Sequence, residues 1–99
     1  MSDLLTLEHF TPHVGKTVHF KGTPYAFPID RVEGKGGTPP PGWMRVPFLV
    51  IFRGPRDREA VLAEGQYDCE IEGGPTLSLY VAPIHTPKPD RQEYQSSFN

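Results

Sequence analysis

The chain has a single cysteine, Cys69. An internal disulfide is therefore excluded, and with it the cross-linked framework that small secreted domains use to compensate for a thin core. Cys69 falls on the apolar parity of an alternating segment, where it is expected to act as a small buried hydrophobe. No apolar run approaches the ~18 residues of a membrane-spanning helix, and residues 1–6 offer neither the basic start nor the apolar centre of a secretory leader. The expectation is a soluble chain made in the cytoplasm, with no membrane insertion. An excess of charge of one sign is also missing. Ten Lys and Arg are interspersed with twelve Asp and Glu, for a formal charge of −2. Such a chain sets up no field that would gather nucleic acid or an anionic membrane, so neither is expected as a partner.

Catalytic signatures are absent too. There is no Gly-x-Ser-x-Gly elbow, no phosphate-cradling loop with Lys and Ser or Thr, and no dinucleotide fingerprint; Gly34, Gly36 and Gly37 lack the helix such a loop requires. His9 and His13 have the spacing of one helical face, but Pro12 breaks that helix, and no local Cys pair or carboxylate completes a four-ligand zinc site. His19 lies on an outward parity and His85 in a Pro-rich loop. Asp68, Glu70 and Glu72 form the outward row of a strand rather than a converging acid pair. No catalytic residue, cofactor or metal is assigned, and the expectation is a protein that is not an enzyme.

Punctuation is abundant instead. Twelve Pro and ten Gly make up more than a fifth of the 99 residues, against about 12% in average usage, and they cluster without a repeat. Short elements joined by many turns are the consequence. A chain of this length can bury only roughly 60–65% of its unfolded surface, which allows one domain, residues 1–99, and one modest core.

Thr6 is placed to cap a short helix in which Leu7, Phe10 and Val14 recur at helical spacing, with Pro12 and Gly15 limiting it to one or two broken turns. Its apolar edge is expected to plug an open end of a β core. Val18 and Phe20 alternate with Thr17, His19 and Lys21. Tyr25, Phe27 and Ile29 share a parity that Val32 breaks, so a bulge near Asp30 and Arg31 is expected to return Val32 to the core. Pro28 cannot donate to a ladder, which puts that strand at an edge or that position in solvent. Residues 34–42 form a Gly- and Pro-rich loop.

The run Pro47-Phe-Leu-Val-Ile-Phe-Arg-Gly-Pro55 has no polar face until Arg53. It is expected to be a central strand, covered on both faces and stopped by a Gly-Pro turn. The charged stretch 56–64, with Val61 and Leu62, is expected to be a surface loop or one helical turn. Tyr67 to Glu72 and Leu77 to Val81 alternate on either side of Gly73-Gly74-Pro75. A two-residue turn would put charge and core on one face, so the expected loop is Gly73 to Pro75, pairing Ile71 with Leu77 and Cys69 with Leu79. Tyr94, Ser96 and Phe98 form a last strand. The predicted fold is mainly β: a small antiparallel barrel or sandwich of about six strands with one short N-terminal helix.

Five residues are candidates for an interaction surface. Arg53 ends the apolar strand, either as a latch to the adjoining turn or to Asp57, or as an anchor for a partner. Trp43 either caps the core or makes a binding contact. Pro40 and Pro41 belong to a polyproline stretch that is either a spacer or a ligand for an aromatic groove. Phe98, at the end of the last strand, could add to a neighbour's sheet as readily as to its own.

The order Leu5-Thr-Leu-Glu-His-Phe-Thr-Pro-His-Val-Gly15, Pro47 to Pro55, Gly65-Gln-Tyr67, Pro83-Ile84 and Tyr94 to Asn99 resembles a family of small bacterial domains of unknown function. Its members carry a Pro-Phe-apolar-Phe-Arg-Gly-Pro strand and close on Phe-Asn; the loop at 34–42 and the charged insert at 56–59 depart from that pattern. The resemblance implies no catalytic residues. Some members look like neighbours of proteins with phage-tail-collar or tail-fibre-like domains, which implies a place in such surface or virion structures. The expected function is a non-catalytic accessory or structural protein that binds a larger fibre, tail-like or surface assembly, with a fibre or collar-like protein partner or further copies of itself. The alternative is a small-ligand or metal-binding module.

Overall fold

The computed structural model describes residues 6–34, 38, 41–42, 46–55, 61–84 and 91–98. The alternating segments form six strands: β1 (Thr17–Phe20), β2 (Ala26–Gly34), β3 (Phe48–Pro55), β4 (Gly65–Ile71), β5 (Thr76–Ile84) and β6 (Arg91–Phe98). Every pairing is antiparallel, and the order β1-β2-β3-β6-β5-β4 closes on itself as a barrel. Of the two architectures the pattern allowed, the barrel forms, and no strand is left with a single neighbour.

Two strands make closure possible by serving two partners in succession. β2 pairs with β1 through Ala26 to Pro28 and with β3 from Ile29 onward; β5 pairs with β4 as far as Val81 and with β6 from Ala82. Pro28 sits at the first changeover rather than at a sheet edge. The Ile29 N–H donates to the Lys16 carbonyl at 3.0 Å and Phe20 N–H to the Tyr25 carbonyl at 3.1 Å, so the odd-numbered residues face β1. By alternation, the nitrogen of Pro28 faces the β3 side, where its missing N–H ends the ladder. The register of β2 then shifts between Ile29 and Arg31, leaving Asp30 as the extra residue of a bulge. Val32 packs against the core, as the break in parity required.

The interior is aromatic. Phe20, Phe27, Phe52 and Tyr94 fill one half, with the Phe27 and Tyr94 rings stacked at 4.9 Å. Phe48 and Phe98 stack at 4.5 Å in the other half, and Phe10 lies against both. Phe10 comes from α1 (Leu7–Phe10), which passes into a 3-10 turn over Thr11–His13 where Pro12 forbids a longer helix, and the chain then turns at Gly15 with φ +89°. The helix plugs the core as expected. Cys69 is fully buried inside, and desolvation pushes its thiol up to about 12.

Several expectations are corrected. Gly54 and Pro55 do not turn the chain; both lie within β3. Gly54 faces inward, where a Cβ would stand 2.9 Å from the Phe27 ring, so glycine is needed for that ring to pack on the backbone. Leu62 is not a surface residue but is buried in the core, its N–H donating to the Tyr94 hydroxyl at 3.1 Å. The β4–β5 hairpin keeps the expected faces but slides by two residues, pairing Cys69 with Leu77 and Tyr67 with Leu79. Its loop is Glu72 to Gly74. Pro75 has no N–H, so it closes the hairpin through its carbonyl alone, accepting from Ile71 at 3.2 Å, while Gly74 N–H bonds the Ile71 carbonyl and Gly73 takes φ +71°. A shift of two leaves every side chain on its original face.

Two substitutions test this packing. Gly54→Ala should destabilise the barrel by about 1–3 kcal/mol, because the Phe27 ring is held against Tyr94 and cannot retreat, and calorimetry should show Tm lower by several degrees. Tyr94→Phe should cost about 1–3 kcal/mol in urea unfolding by leaving the buried Leu62 N–H without its acceptor; an unchanged midpoint would contradict that role.

Candidate functional site

The changeover in β2 places Asp30 on the outer face of the barrel, beside the ends of two other strands. Arg53 follows the last β2–β3 pair, Ile29 with Phe52, and β6 aligns Glu93 with Arg53 and Arg91 with Pro55. These positions bring together side chains that are distant in sequence. One oxygen of Asp30, Oδ1, accepts from Arg53 Nη1 at 2.9 Å and Arg91 Nη1 at 3.0 Å, and the other, Oδ2, accepts from Arg31 Nη1 at 2.7 Å. Arg31 also reaches Glu93 with both terminal nitrogens, at 3.0 and 3.3 Å, and Glu33 with Nε. Arg91 Nε lies 3.7 Å from Glu93.

The two central carboxylates are nearly dry, their side chains 14% exposed for Asp30 and 8% for Glu93. Burial pushes Asp30 up, but the bond from Arg31 and the charges of Arg91, Arg31 and Arg53 outweigh it and hold the group below its ordinary 3.8. For Glu93 the Arg31 bond is the leading influence, and it depresses the carboxyl below 4.5 despite burial. Arg31 is held above its usual range by Glu93, Glu33 and Asp30 in turn.

An open groove of about 510 Å³ adjoins this cluster, lined by Pro28, Arg53, Gly54, Pro55 and Arg91. It lies where β3 continues past the point at which Pro28 ends pairing with β2. The two prolines offer no N–H, so the hydrogen-bond donors of its lining side chains are guanidiniums.

The family model for a domain of unknown function (DUF6916) matches residues 5–98, nearly the whole chain. The chain belongs to that family. No curated protein and no solved structure matches it.

Within this DUF6916 domain the interaction candidates have different fates. Arg53 lines the groove, its side chain 48% exposed, and its partner is Asp30; Asp57 lies outside the described residues. Pro41 is exposed. Trp43 and Pro40 lie outside the described residues. The Phe98 ring is buried against Phe48 and Phe10, and its residue pairs with Phe48 of β3. Of the four histidines, His85 lies outside the described residues. His9 Nδ1 accepts the Thr6 N–H at 2.9 Å at the start of α1, His13 lies beside Gly74, and His19 is exposed on β1. Among the described residues no three His, Cys, Asp or Glu side chains are grouped as metal ligands, and no helix is long and apolar enough to cross a membrane.

Asp30, Arg31, Arg91 and Glu93 of this cluster carried no motif. The one signal was the parity break at Asp30-Arg31, which located the bulge but not the partners it would meet.

Depressed carboxyl pKa values give the cluster a definite pH dependence. The unfolded chain takes up these protons at a higher pH than the folded one. The stabilisation is therefore complete above the ordinary carboxylate range and is lost as pH falls through the folded values. Asp30→Asn should flatten this acid limb, so its stability deficit at neutral pH should narrow as pH falls below about 4. Urea unfolding of both proteins across the acid range measures this, and parallel profiles would contradict it.

Proposed function

We propose that this domain is a non-catalytic accessory or structural protein that binds a protein component of a larger fibre, tail-like or surface assembly through the Arg53 groove. The observation that carries the reading is the lining of that groove. Arginine stays protonated at any physiological pH, and proline and glycine bring no reactive group. Such a lining can recognise and orient a partner. Half-exposed Arg53, beside a rigid proline wall, has the character of an interface anchor. The use of the interior for aromatic packing and the resemblance to domains near collar and fibre proteins support the same reading.

A small-ligand module is the second reading, favoured by the groove's volume of about 510 Å³, which falls within the roughly 300–1,000 Å³ of small-molecule sites. The two differ in what remains bound. Affinity purification of the tagged protein from its native host, followed by a salt wash and mass spectrometry, should recover fibre, collar or other surface-assembly proteins at comparable stoichiometry. Recovery of the domain alone, together with thermal stabilisation by small acids, would overturn the accessory role in favour of the ligand module.

A further inference from the structure

We draw no further inference here: the strongest candidate, the outer face of β1, β4 and β5 on which His19, Asp68, Glu70 and Tyr80 are exposed, is a sheet face for which nothing in the structure shows what covers it.

Discussion

This barrel closes with β2 passing from one partner to the next along its length, and the change is confined to three residues. Pro28 removes a donor on the side facing β3, Ile29 completes the bonding to the segment before β1, and Asp30 is the extra residue that resets the register. The interior arrangement depends on this step. Without the bulge Val32 would point away from the core, and Phe27 and Ile29 would be out of phase with the rest of β2. The outer arrangement depends on it as well, because the bulged residue is the carboxylate on which three guanidiniums converge.

How much net stability that convergence provides is decided by two opposing effects. Drying two carboxylates is costly, and attraction to the arginines offsets that cost because each of the four oxygens accepts from a guanidinium. The net gain is therefore modest, while loss of a single partner would leave a charge uncompensated. Such a cluster contributes more to uniqueness than to strength: it is satisfied in one register of β2, β3 and β6 and poorly satisfied in any other. Ile51 is buried yet absent from the interior cluster, and its register neighbours on the two flanking strands are the long polar residues Arg31 and Gln95.

The fold was legible where periodicity carried the information. Val18 and Phe20, Phe48 to Phe52, and Leu77 to Val81 stated their faces in the sequence, and the parity break before Val32 located the bulge. What could not be read was anything requiring a partner from another strand. Gly54-Pro55 looked like a turn because its reason for being glycine is the ring of Phe27, more than twenty residues earlier. Leu62 looked like a loop residue because its anchor is Tyr94. The candidate site was illegible for the same reason. Arg53 stood out against its apolar run, but Asp30, Arg91 and Glu93 are ordinary charged residues until the barrel closes.

That dependence on closure also bears on how the molecule comes apart. The bonds from Asp30 to Arg91 and from Arg31 to Glu93 join positions 61 and 62 residues apart. A contact of that span is formed only after most of the chain has been ordered, so it contributes little to the speed of folding. Its weight falls on the reverse process: the cluster acts as a clasp across β2, β3 and β6 that must open before the strands can separate, and it prolongs the lifetime of the folded barrel more than it hastens its formation.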